Sequence, residues 1–176
     1  MTKLSVEDRL DIMDLIARYY WALDLGDAEG AAACYAEDGY LDHLWQGKLV
    51  GREAIVRAFN ELYYDRPSWW FARQHRLNNV IVDKAGDGAH VKAMFSILQH
   101  NVYYRTNFVF GIGTVDIRLG RHDDDWKFET FSVNAWITPE DVPWQGDRRA
   151  WDVSGMTQMG ENGSPASPVA IDIDPS

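Results

Sequence analysis

The sequence predicts an α+β domain, with N-terminal helices laid against one strongly curved, antiparallel or mixed sheet. Three observations carry this. Helical periodicity is confined to the stretch before about residue 64. From about residue 72 to about 137 the pattern alternates with period two, interrupted at Gly86-Asp87-Gly88 and at the polar run His122 to Asp125. The chain has 176 residues, 46% apolar and 13% aromatic, which is enough for a single domain with a real core. Helices first and long strands after them segregate the two kinds of element, which is the α+β arrangement. A sheet curved around helices makes a cone with one open mouth, a natural small-molecule pocket.

About residues 5–25 read as one amphipathic helix. Val6, Leu10, Met13, Ala17 and Tyr20 recur at spacings of four and three and form the expected buried stripe. Glu7, Asp11, Asp14 and Arg18 fall opposite. Ser5 is the expected N-cap, with Asp8 as its capping-box partner, and Gly26 ends the helix. Asp27 caps a second, Ala-rich helix running to about Ala36. About residues 39–46 alternate, Tyr40, Asp42 and Leu44 against Leu41, His43 and Trp45, as a strand does. Gly47 and Gly51 bracket a turn, and a third helix follows over about 52–64, with Ala54, Ile55, Ala58, Phe59 and Leu62 on one face. A loop at 65–71 holds Trp69, Trp70 and Phe71. Strands are expected over about 72–84, 89–104, 106–120 and 125–137. Residues 1–138 form the expected domain; residues 139–176 form a C-terminal strap and a tail rich in Gly, Ser and Pro.

The net charge of −10 argues against nucleic acid and anionic membrane as partners, since both need a basic footprint. Cys34 is the single cysteine, so no intrachain disulfide forms. With no apolar leader, the expected compartment is the cytoplasm. Eight Trp residues are a heavy load for this length; most are expected in the core, and several are expected to line a pocket for a flat or greasy ligand.

The chemistry starts at Asp24, which continues the apolar series four residues after Tyr20. A carboxylate turned toward a core is costly unless a partner satisfies it. His75 is the expected partner, because alternation places it on one face with Leu77 and Ile81. An inward Asp–His pair is a candidate general base, the carboxylate fixing the imidazole tautomer. The competing reading is a core histidine bonded to a backbone carbonyl. His100 shares parity with Met94 and Leu98 and is a candidate second inward histidine; His43 shares parity with Leu41 and Trp45. Tyr19 and Tyr40 are candidate hydroxyl donors. The histidines lack ligand spacing for a metal, and no phosphate loop, nucleophile elbow or dinucleotide fingerprint is present, so no cofactor is expected.

These residues carry a family resemblance. Arg18-Tyr19-Tyr20-Trp21-Ala22-Leu23-Asp24, then Tyr35-Ala36-Glu37-Asp38-Gly39, then Gly51, Gln74-His75 and Trp126-Lys127-Phe128 occur in an order and spacing that resemble the SnoaL-like branch of the NTF2-like superfamily. Within it the chain is similar to scytalone dehydratase, bile-acid dehydratase and hexachlorocyclohexane dehydrochlorinase. The resemblance covers roughly residues 5–137. It implies a cone-shaped α+β barrel with Asp24 and His75 as the catalytic pair. It further implies that Gln99-His100 and Tyr103 lie on the strand carrying a second histidine, and that Tyr19 is the site tyrosine. His43 stands where those dehydratases carry a pocket tyrosine, and Gly111-Ile112-Gly113-Thr114 stands where scytalone dehydratase has a serine and an asparagine.

The expected activity is a cofactor-free dehydratase acting on a small hydrophobic, aromatic or polycyclic substrate. Asp24, His75, His100, Tyr19 and His43 would carry the chemistry, and Tyr40, Trp69, Trp70, Phe71, Thr114 and Trp136 would line the pocket. An isomerase or polyketide cyclase is the alternative on the same base, and a non-catalytic binder or assembly subunit the alternative from another class. A homo-oligomer is expected, a trimer before a dimer, because Val109, Val115, Ile117, Phe131 and Val133 are read as an apolar outer sheet face.

Overall fold

The computed structural model describes residues 4–43, 46–64, 73–101 and 105–136. Leu44, Trp45, the Trp69-Trp70-Phe71 cluster, Tyr103 and the strap and tail from 139 lie outside the described residues. The elements are α1 (Val6–Leu25), α2 (Ala28–Ala32), β1 (Tyr35–His43), β2 (Gly47–Val50), α3 (Arg52–Tyr64), β3 (Gln74–Ala85), β4 (Gly88–Asn101), β5 (Thr106–His122) and β6 (Asp125–Ala135). The strands form one mixed sheet in the order β2-β1-β6-β5-β4-β3. Only the β1–β6 pairing is parallel among these strands. The sheet is open, with β2 and β3 at its edges, so the barrel is not closed.

Local chemistry sets the element ends. The Ser5 hydroxyl accepts the Asp8 N–H at 2.9 Å and starts α1. Gly26 ends it at φ +79°, a left-handed cap, and its N–H turns back to the last carbonyls. Asp27 Oδ1 accepts the Gly30 N–H at 2.8 Å and starts α2. Two expectations are corrected here. The second helix stops at Ala32, and β1 begins at Tyr35 because its backbone joins β6. The stretch read as a turn between Gly47 and Gly51 is the edge strand β2, paired antiparallel with β1.

The buried face of α1 is also corrected. Ile12, Ile16, Tyr19 and Leu23 face the sheet and are 9% exposed or less, whereas Val6 is 75% and Leu10 63% exposed. The helix carries two apolar stripes, and a 3.6-residue period cannot say which one meets the sheet. Tyr20 and Asp24 lie along the seam between them and are half-buried. The N-terminal end of α1 is tied to the β5–β6 hairpin, because Asp8 accepts from Arg121 and from Trp126 Nε1. Hydrogen bonds from the Ser5 hydroxyl and Arg121 hold the Asp8 carboxyl down at about 2.

The core lies between α1 and the concave sheet face. Phe95 and Ile97 of β4, Val115, Ile117 and Leu119 of β5, and Phe128 and Phe131 of β6 point into it. Val115, Ile117 and Phe131 were expected on the outer face; they are buried, so that parity lines the core. The outer face instead exposes Ile81, Met94, Val109 and Ile112. Register shifts at Asn78/Ile81, Ile97/Leu98 and Arg118/Leu119 break the ladders and bend the strands. The first of these holds Asn79 at φ 52° and reverses the parity of β3, so Ile81 faces out where Leu77 faces in. No helix among the described residues is long and apolar enough to cross a membrane.

Candidate active site

The site forms where the last turn of α1 meets the first residues of β3. Asp24 sits at the negative end of a helix with no basic side chain in its last turn, a poor position for a carboxylate. Two N–H groups from β3 offset that cost. Asp24 Oδ2 accepts the backbone N–H of His75 at 2.8 Å, and Oδ1 lies 2.6 Å from His75 Nδ1. One carboxylate therefore fixes both the strand and the ring it carries. Because a carboxylate only accepts, the bond calls for a proton on Nδ1, so that in the neutral ring the lone pair is on Nε2. The two side chains are 15% and 18% exposed, sheltered but not sealed in the core. The Nδ1 partner of His75 is thus a carboxylate and not a backbone carbonyl.

Tyr20, one helical turn before Asp24, stacks on the His75 ring with centroids 5.5 Å apart and planes 26° from parallel. Burial, with the Asp24 charge behind it, pushes the Tyr20 phenol above its ordinary range. The phenol therefore stays protonated near neutrality. His43 ends β1 on the same face as buried Leu41. Burial, then the charge of His75, pushes its imidazole down to about 4. A site of this kind holds one imidazole bonded to a carboxylate and a second that is neutral at pH 7.

The structure therefore brings together Asp24, His75 and His43 and separates several other expected residues from them. His100 has the parity of Met94 and Leu98, as read, but that parity is the outer face; its Nδ1 lies 2.8 Å from Asn107 Oδ1. Gln99 points inward in its place, 1% exposed. Tyr40 lies on the opposite face of β1 from Leu41, with the Lys48 ammonium 3.7 Å from its ring centroid. Thr114 is opposite Met94 and Asn134 and shares the outer parity of Ile112. Tyr19 is 3% exposed, its ring packed against Tyr35, Phe128 and Phe131, a core position behind the site. Trp136 follows β6, and its backbone N–H donates to the Ile112 carbonyl at 2.8 Å.

Tyr20, Arg73 and Gln99 were missed. Tyr20 is four residues before Asp24, a spacing that puts both on one helix face. Arg73 is two residues before His75, a spacing that puts both on one strand face. The described residues hold no group of three His, Cys, Asp or Glu side chains that would suit a metal ion. A surface hollow between α2 and α3, lined by Glu29, Arg52, Glu53 and Arg57 among others, lies apart from this site.

Solved structures share this architecture at low identity. A protein of unknown function from Mycobacterium tuberculosis superimposes with a TM-score of 0.68 at 20% identity, over 86% of this chain and 92% of that one. A protein from Catenulispora acidiphila in complex with S-DNPA gives 0.66 at 24% identity, over 74% and 95%. A candidate scytalone dehydratase from Novosphingobium aromaticivorans gives 0.60 at 19%, over 74% and 88%. At these identities the likeness establishes the fold, described for others of these structures as NTF2-like or cystatin-like. No curated protein sequence matches the chain. The family model of the SnoaL-like domain matches residues 4–132, which span α1 through most of β6 and include Asp24, His43 and His75. The chain belongs to the SnoaL-like domain family, whose members include dehydratases, isomerases and cyclases.

Proposed function

We propose that the protein is a cofactor-independent lyase, a dehydratase acting on a small hydrophobic, cyclic substrate whose C–H bond is acidified by a neighbouring carbonyl or extended π system. The observation that carries the reading is the double grip of Asp24 on His75, which leaves the lone pair on Nε2. In this reading Nε2 removes the proton and negative charge grows on the carbonyl oxygen. His43, neutral at pH 7, donates a hydrogen bond to that oxygen. The enolate then re-forms the carbonyl as the adjacent carbon–oxygen bond breaks, and the departing hydroxyl takes a proton and leaves as water. With His100 on the outer face, the proton donor is the His75 imidazolium itself or a bound water. One base that takes a proton and returns it to a leaving group on the same side fits a syn elimination. General acid–base help of this kind is worth about 10² to 10⁴ in rate.

A single base beside one carboxylate also suits an isomerase, in which the same proton returns to another carbon. The test offers purified protein a panel of cyclic β-hydroxyketones in deuterated water. Absorbance follows the conjugated enone and NMR follows exchange at the acidic carbon. Enone formation that His75→Ala abolishes supports the lyase. Exchange without enone assigns an isomerase or cyclase, and neither signal across the panel assigns a binding protein.

A further inference from the structure

The stripe of α1 that turns away from the sheet is more apolar than a solvent-facing helix face needs to be. Val6, Leu10, Met13, Trp21 and Leu25 are all exposed, Trp21 by 69% and Leu25 by 75%, and exposed Ala17 stands between Met13 and Trp21. Spacings of four and three make them one unbroken row along the whole 20-residue helix, about 30 Å long. Single exposed apolar side chains are ordinary, but a row of five bulky ones marks a contact surface. The row is also complementary to itself. When two copies of α1 lie antiparallel in full overlap, residue 6 of one is level with residue 25 of the other. Leu10 is then level with Trp21 of the second copy, and small Ala17 lies beside Met13, which lets the helices approach. Asp14 and Arg18 lie on one flank of the row, and two-fold symmetry brings like flanks together, so Asp14 of each copy comes beside Arg18 of the other. Neither takes part in an ion pair among the described residues. A parallel pair would instead set Asp14 against Asp14, like charge on like charge.

We propose that α1 is a docking surface for α1 of a second copy of this chain, the two helices antiparallel and in full overlap. The occupant is a second copy because one register satisfies three conditions at once: the greatest overlap, a bulky or small partner for each apolar side chain, and opposite charges on the meeting flanks. Covering the five bulky side chains on both copies removes on the order of 1,200 Å² from water, the lower end of specific interfaces, so the dimer is reversible. The surface lies across the domain from the outer sheet row of Ile81, Met94, Val109 and Ile112, and the two faces act independently. The proposal stands whatever reaction His75 performs.

Cysteine cross-linking of the full chain reads the register directly. Cys34, the one native thiol, is buried, so the wild type is the uncross-linked control. Leu10→Cys alone and Trp21→Cys alone are expected to stay uncross-linked under mild oxidation, because full overlap sets identical positions about 16 Å apart along the axis. A mixture of the two variants is expected to give a disulfide-linked pair. Either variant linking to itself, or no link in the mixture, overturns the proposal; the first result means a parallel or shifted pair, the second means that another segment or nothing covers the row. A charge exchange gives the second reading. Arg18→Asp is expected to weaken association in sedimentation at least three-fold, and adding Asp14→Arg is expected to restore it, with circular dichroism unchanged in both. Association that ignores Arg18→Asp, or a loss that the exchange leaves in place, also overturns the proposal.

Discussion

The neutral imidazole of His43 makes the fold sensitive to mild acid by an amount that can be worked out. In the folded chain its proton affinity is pushed down to about 4 from an ordinary 6.5, first by burial and then by the charge of His75. Between those values the unfolded chain binds a proton that the fold refuses. Stability contributed by this group is therefore whole above pH 6.5, falls as pH is lowered toward 4, and levels off below that. Linkage over that gap gives a loss of about 2 kcal/mol between pH 7.5 and pH 5. Carboxylates and other histidines titrate in the same interval, so the quantity to measure is a difference of differences. Urea unfolding of the wild type and of His43→Gln at both pH values isolates it. The variant, with no titrating group at 43, should lose about 2 kcal/mol less than the wild type on acidification. Equal losses, within about 0.5 kcal/mol, would show that His43 is protonated in the fold or reaches solvent freely, and its role as a neutral donor would fall with that result.

Other substitutions test the packing and the pair. Ile16→Ala should cost about 2–5 kcal/mol in urea unfolding and Leu10→Ala under about 0.5, since only the first faces the sheet; the reverse order would restore the other stripe. Asp24→Asn should keep the fold by circular dichroism yet lower turnover about 10² to 10⁴-fold, because an amide can orient the imidazole with the wrong tautomer; unchanged turnover would remove Asp24 from the mechanism. The exposed row of Ile81, Met94, Val109 and Ile112 leads us to expect a homo-oligomer that covers it, and a monomeric mass by light scattering at micromolar concentration would contradict this.

Periodicity in the sequence located the long elements, because alternation over β3 to β6 and the turn residues between them are local signals. It also turned His75 inward; Asp24 meets it although the apolar series it continues is the exposed stripe, because its end of that stripe is half-buried beside β3. Facing was harder to read. Parity correctly grouped His100 with Met94, but which parity meets the core depends on the helix across the sheet, and that information is not local. The bulge at Asn79 reverses β3 without any glycine to announce it. On α1 two apolar stripes competed, and the one that won places Tyr19 in the core and Tyr20 on the imidazole. Arg73 was passed over because an arginine beside a turn reads as surface. It touches Gln99 and Phe110, on strands that lie far along the chain.

The central claim is that Asp24 holds His75 with its proton on Nδ1 and its lone pair on Nε2. Nitrogen NMR of the protein labelled at the histidine ring nitrogens reads that directly, with His75→Ala used to assign the signals. The account predicts the Nδ1–H tautomer near pH 7.5, with the unprotonated Nε2 resonance moving when a pocket ligand is added. A ring found with its proton on Nε2 in the wild type would contradict it, because that imidazole has no lone pair to offer a substrate.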